Sequence, residues 1–328
     1  MKIYQDAEKF INEIYWKESH DKRSALKISE IVDAKLVKDN KEKDPEYYNY
    51  RPGVVHSSSI YGCLRGVVHS MIGTPPSTEL EARKLGVFMA GNLFEDYIIN
   101  ALGDKVIERQ REYKYKYKSI TLVGRSDYLI NDEGVMRIGE NKSVHSDSFW
   151  YRQREGTLVA WHNQIQLQIY MWLERILYNH QYEGIFSYIS KDDCTVESAP
   201  VKFNQHIIDE VILPILEIIN AAYEAIVASG LLAKRDAADG EAKQFVQNEI
   251  NALINSIVPL PAHSIFNENK GQWQRNWLAT YCSHHNHCAG GGWLLEATDE
   301  VVRKNKELKG TLPKAPKRSK KLEIKPVE

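Results

Sequence analysis

Between Val106 and Val144 the chain passes through three consecutive stretches of strand character, and this pattern constrains the fold more than any other. Val106 to Lys118 alternates apolar and polar residues, Ile120 to Ile130 follows at once, and Val135 to Val144 follows after Asn131, Asp132, Glu133 and Gly134. A period of two marks a half-buried strand, and Asn, Asp and Gly in a short gap connect antiparallel neighbours tightly. The spacing predicts a three-stranded meander. Beyond it, a segment rich in Leu, Ile, Trp and Met from about Leu158 to Leu177 has helical period, and Tyr182–Lys191 and Thr195–Phe203 read as two more strands. Strands interleaved with long helices predict an α/β class, a mixed central sheet flanked by helices.

The flanks read as helical additions. Met1 to about Tyr50 is charged and helical, an arm or cap. Ile207 to about Ala228 gives an apolar helical pattern in which Pro214 marks a start or a kink, and Ala237 to Ile257 gives another helix. No internal repeat is apparent.

Chemistry enters through residues whose spacing matches those elements. On a strand, residues two apart share a face, so Glu140 and Lys142 emerge side by side while Asn141 points away. The hairpin places Asp127 on the strand beside Glu140. Glu95 sits on an amphipathic helix whose apolar set includes Leu85, Phe88, Met89, Phe94 and Ile98, with Gly91 one turn earlier on the same face. Gln166 and Tyr170, also four apart, can reach one site from the later helix. Three carboxylates from separate elements, Glu95, Asp127 and Glu140, can hold a hard divalent cation through oxygen, with the Lys142 charge beside it. The plainer alternatives are a solvated sheet face with cross-strand ion pairs, and a buried Gln–Tyr pair that satisfies itself.

The order Gly91-x-x-x-Glu95, Gly124-x-x-Asp127, Glu140-x-Lys142, Gln166-x-x-x-Tyr170 resembles the RecB-like branch of the PD-(D/E)xK nucleases, over roughly Ser57 to Lys191. That resemblance implies a restriction-endonuclease-like core with the site at the edge of a mixed sheet. It implies Asp127 and Glu140 as ligands of magnesium or manganese, Lys142 as the group that positions water or meets phosphate charge, and Gln166 and Tyr170 as its orienting partners. Many members carry histidine where this chain has Glu95, and a further carboxylate suits the same metals. The activity implied is a metal-dependent DNA exonuclease of recombination, repair or phage DNA processing. Three alternatives stay open: an endonuclease of the CRISPR-adaptation type, a nucleic-acid-binding or assembly protein that keeps the fold without turnover, and a hydrolase of another substrate.

Many relatives also carry an iron-sulfur cluster on one early and three late cysteines. Here Ser57 to Arg65, with Cys63, resembles the early segment, and Trp277 to Cys282 with Cys288 resembles the late one, but Ala279 stands where another cysteine is expected. Cys194 falls outside the pattern. His284, His285 or His287 could complete a three-cysteine, one-histidine site that suits zinc as well as iron-sulfur, and a metal-free remnant is the other reading.

At 328 residues the chain has ample apolar content for a substantial core. Four cysteines make no disulfide framework, the first residues are charged rather than leader-like, and no apolar run is long enough to cross a membrane. These features predict a cytoplasmic protein with no membrane; the resemblance implies DNA ends, single-stranded or duplex, as partner, alongside recombination or replication proteins of a bacterial or phage-infected cell. Three regions are expected: an arm over residues 1–56, a nuclease domain over 57–300 that includes the late cysteine segment, and a basic disordered tail over 301–328. Lysines and arginines crowd that tail from Arg303 to Lys321, either simply solvated or holding phosphates. Lys114, Lys116 and Lys118 alternate with Tyr115 and Tyr117, either as a lysine-protected edge strand or as a phosphate-tracking edge with stacking rings.

Overall fold

The computed structural model describes residues 28–42, 52–77, 81–154, 161–259, 264–267, 272–275, 282, 284, 287 and 300–307. The chain falls into two compact units, Met1–Asn49 with Glu79–Asp96, and Tyr50–Thr78 with Tyr97–Glu328. In the first unit, helix α1 (Ile28–Glu42) brings Leu36 within 3.8 Å of the point where a side chain on Gly86 would begin. Gly86 lies on α3 (Ala82–Leu102), whose inward stripe runs through Leu85, Ala90, Phe94 and Ile98 at helical spacing. Phe88 and Met89, expected inside, are 56% and 48% exposed. This helix is apolar on several sides, so burying one stripe leaves the other out.

In the second unit, β1 (Val54–His56) leads into α2 (Leu64–Met71). The strands β2 (Val106–Arg109), β3 (Glu112–Tyr117), β4 (Ile120–Arg125), β5 (Tyr128–Asp132) and β6 (Val135–Val144) follow α3. Helices α4 (Ser146–Arg154) and α5 (Trp161–Tyr178) lead to β7 (Glu183–Ser190) and β8 (Val196–Val201). The sheet order β2-β5-β6-β7-β8 is mixed: β6 and β7 run parallel and the other pairs antiparallel. A parallel pair needs a long crossover, which α4 and α5 supply.

The expected meander is corrected in one respect. Its first two strands bend, so that β3 and β4 join β1 in a second, three-stranded sheet while β2 and β5 stay beside β6. Pairing persists through the bend, with Gln110 N–H donating to Asp127 O and Ser126 N–H to Arg111 O. Gln110 takes a left-handed conformation (φ 52°), which turns one strand, and Ser126-Asp127 turns the other. The bend leaves β6 longer than its neighbour: the last β5 pair is Tyr128 with Gly139, while β6 and β7 stay paired to Val144.

Helix α5 packs its buried Leu167, Tyr170, Met171 and Leu173 into the core. Near its end the fully buried Glu174 is held by Arg111 at 2.5 Å and by His180 at 2.9 Å, so the buried charge is paired. After β8, Gln205–Ile207 and a π-helical turn, Ile208–Ile212, run into α6 (Leu213–Ala228), with Pro214 in its first turn where no N–H is needed. Together Gln205–Ala228 is long and apolar enough to cross a membrane by length and composition, contrary to the sequence expectation, because the π turn joins two helical pieces. Its Leu216, Ile219, Ala222 and Ile226 belong to the buried core. Helices α7 (Leu231–Ala237) and α8 (Gly240–Ile257) and the pair β9 (Ser264–Asn267) and β10 (Gln272–Arg275) complete the described elements, with a helical stretch over 300–307.

Candidate active site

The overhang of β6 makes the site. The β5–β6 register ends at Tyr128 and Gly139, and beyond it Asn141 N–H donates to Asp127 Oδ2 at 2.6 Å. An Asp side chain thus takes the place of the carbonyl that β5 no longer supplies. The same bond holds the Asp127 carboxylate next to the strand that carries Glu140 and Lys142. The Asn141 amide points off this face, where its oxygen and nitrogen have no hydrogen-bond partner among the described residues.

Glu140 is 3% exposed, and the Lys142 ammonium donates to its Oε1. Burial by itself would lower the Lys142 pKa. The Glu140 charge and hydrogen bond, then Asp127, outweigh that and hold it above the ordinary lysine value. These two carboxylates thus favour the ammonium form of Lys142.

Behind the lysine stand Gln166 and Tyr170 from α5. Lys142 Nζ lies 3.4 Å from Gln166 Oε1, Gln166 Nε2 donates to the Tyr170 hydroxyl at 2.7 Å, and that hydroxyl donates to Arg125 O at 2.8 Å. Burial first, then the Glu140 charge, raises the phenol pKa, so Tyr170 stays protonated. Asp127, Glu140, Lys142, Gln166 and Tyr170 thus meet at one place through these bonds. Glu95 lies half-buried on α3 in the other compact unit, on the same inward stripe as Gly91.

Sequence reasoning missed two contributors, both before α2. Ser57, 1% exposed, donates from Oγ to the Tyr170 hydroxyl at 3.4 Å. Tyr61 has its pKa raised by burial first, with the Lys142 and Glu140 charges acting on it in opposite senses. The only local signal for either is a hydroxyl-rich run, Ser57-Ser58-Ser59, which many loops share.

Among the described residues no group of three or more His, Cys, Asp or Glu side chains is arranged to hold a metal ion. The chemistry of the donor set nonetheless fits magnesium or manganese at the overhang: Asp127 and Glu140 offer hard carboxylate oxygens. A four-thiolate cluster does not fit the other candidate site. The described thiols there, Cys63 and Cys282, interact with each other, and the Cys282 Sγ sits 2.7 Å from where a side chain on Gly66 would begin. Cys194 stands exposed in the β7–β8 turn, and Ala279 and Cys288 lie outside the described residues.

Beside those thiols stand imidazoles. His69 stacks on His284 at 5.8 Å between ring centroids and lies 5.3 Å from His287. His284 and His287 bond the Thr74 and Pro75 carbonyls through Nε2, at 3.0 and 3.1 Å, so those nitrogens carry the protons. The interaction of Cys282 with Cys63, then burial, raises the Cys282 thiol pKa.

The lysine–tyrosine strand β3 lies at the edge of the three-stranded sheet. Tyr113 stacks on Tyr170 and Tyr115 meets Trp172 edge-on, both facing inward, while Glu217 binds Tyr117 and Lys118. Of the basic tail, residues 308–328 lie outside the described residues, while Arg303 and Lys304 pair with Glu307 and Glu300 along one helix.

No family model matches the chain, and no curated protein matches it. Among solved structures it is similar to the crystal structure of SSO0001, with 18% identity, 58% of this chain and 86% of that chain covered, and a TM-score of 0.40. It is also similar to a phage-related exonuclease from Haemophilus somnus 129PT, with 13% identity, 57% of this chain and 99% of that chain covered, and a TM-score of 0.36.

Proposed function

We propose that this chain is a magnesium- or manganese-dependent deoxyribonuclease that hydrolyses phosphodiester bonds at DNA ends, in recombination, repair or phage DNA processing. The observation that carries the reading is the junction of Asp127, Glu140 and Lys142 where β6 outruns β5, backed by Gln166 and Tyr170. A sheet face of ordinary ion pairs would leave its carboxylates in water. Here Glu140 is buried beside a cation with a hydrogen-bonded chain behind it.

In this reading Asp127 and Glu140 would hold the cation through oxygen. Bound there, the metal supplies a Lewis acid and lowers the pKa of a coordinated water. Lys142, favoured in its ammonium form by the carboxylates beside it, faces the phosphate and meets the negative charge that grows on its oxygens. Gln166 fixes the direction from which the ammonium approaches, and Tyr170 fixes Gln166.

The test uses end-labelled linear DNA, single-stranded and duplex, beside closed circles, with magnesium, manganese or chelator. Metal-dependent loss of linear DNA alone supports the exonuclease. Cleavage of circles moves the reading to an endonuclease, and binding without cleavage in any metal overturns it in favour of an assembly protein.

A further inference from the structure

The Tyr170 hydroxyl is used to capacity. A phenol offers one donor and two acceptor sites. Its proton goes to Arg125 O, and it accepts from Gln166 Nε2 and Ser57 Oγ. With the phenol proton committed to a backbone carbonyl, Gln166 can meet the hydroxyl only with its NH2 group, and its Oε1 is thereby turned to Lys142. The orientation of that amide is thus set from the far side of the tyrosine.

What lets the tyrosine reach this place is Gly124. A side chain there would begin 2.7 Å from Tyr170 Cε1 and 2.8 Å from Ser57 Oγ. Distances below 3 Å are not found for real Cβ atoms, and the ring is buried and stacked on Tyr113, so it has nowhere to retreat. Gly124 also precedes Arg125, whose carbonyl takes the phenol proton, and stands three residues before Asp127. One short segment therefore anchors both the carboxylate and the chain of bonds that ends on the lysine.

We infer that Ser57 and Gly124 are positioning residues of the candidate active site: together they seat the Tyr170 hydroxyl, which through Gln166 sets where the Lys142 ammonium stands. This inference rests on the nuclease reading for its consequence in rate, and on geometry alone for its consequence at Lys142. Neither residue touches the scissile group, so both act through Tyr170. Segment 57–62 then serves the site directly instead of merely leading to Cys63.

Two readouts decide it. The first is DNA cleavage by Ser57→Ala, Tyr170→Phe and the double variant, each checked for an unchanged melting transition. Losing one hydrogen bond to a positioned group should lower kcat by about threefold to tenfold with KM for DNA unchanged. The double variant should fall no further than Tyr170→Phe alone, because the serine acts through the phenol. The second is the rate at which an amine-reactive reagent labels Lys142, read by peptide mass spectrometry in wild type, Ser57→Ala and Gly124→Ala. It needs no activity, and it should rise in both variants as the ammonium loses Gln166, the second of its two partners, while keeping Glu140. Losses that multiply in the double variant, or Lys142 labelling that stays at the wild-type rate in both folded variants, overturn the inference. If the wild type cuts no DNA, the nuclease reading fails while the labelling comparison still decides the positioning.

Discussion

Asp127 accepts the backbone N–H of Asn141 at 2.6 Å, so one carboxylate both repairs an interrupted strand ladder and stands at the candidate metal site. Stability and activity are therefore coupled at this residue but separable by substitution. Asp127→Ala leaves the Asn141 N–H without its acceptor and should cost about 1 to 3 kcal/mol. Asp127→Asn keeps an oxygen for that N–H and should lose most of its activity while losing little stability. Denaturant unfolding of the two variants, set beside their cleavage rates, checks this.

The pH dependence of cleavage should show no limb from Lys142 in the ordinary working range. Glu140 and Asp127 raise its pKa against the effect of burial. A raised lysine pKa means that the ion pair contributes fully below the unfolded value and is lost only as pH rises through the still higher folded value. A rate profile flat from about pH 8 to pH 10 agrees with this. A fall in that window attributable to lysine deprotonation contradicts it.

Gly139 has a purely steric role. A side chain on it would begin 1.9 Å from the Tyr128 ring, which is buried and tied by its hydroxyl to Ser187 at 2.8 Å. Gly139→Ala should therefore cost about 3 kcal/mol or more, by overpacking. Gly134, in the β5–β6 turn, has open space around it but φ of +91°. Gly134→Ala should cost only about 1 to 2 kcal/mol, from backbone strain. Melting curves of the two variants separate the mechanisms.

His69 should make the fold acid-sensitive. Burial first, then the neighbouring His284 and His287, lowers its pKa from 6.5 to about 3, and Arg65 acts in the same sense while Cys63 opposes it. Between those values the unfolded chain binds a proton that the folded chain refuses, so this contribution is complete above pH 6.5 and drains away as pH falls toward 3. Unfolding measured across that interval should show a steeper loss for wild type than for His69→Leu. Equal slopes would show that His69 is protonated in the folded protein.

Much of this architecture is legible in the sequence because it depends on short spacings. Two residues on a strand put Glu140 beside Lys142, and four on a helix put Gln166 beside Tyr170, whatever surrounds them. The bend at Gln110 and at Ser126-Asp127 is not legible. It carries no Gly or Pro, and it is held by the bond that the Asn141 N–H donates to Asp127, fourteen residues away in sequence. Ser57 is hidden for the same reason, since its partner lies 113 residues on. The setting of His69 is hidden likewise, since His284, which stacks on it, and His287, tilted against it, lie far along the chain.

The most direct test of the account compares wild type with Asp127→Asn and Lys142→Ala on end-labelled linear DNA, in magnesium or manganese and again in chelator. The predicted result is cleavage that chelator abolishes and that each substitution lowers by on the order of a hundredfold or more in folded protein. Either variant cutting at the wild-type rate would contradict the claim that this junction of β5 and β6 is where the chemistry occurs.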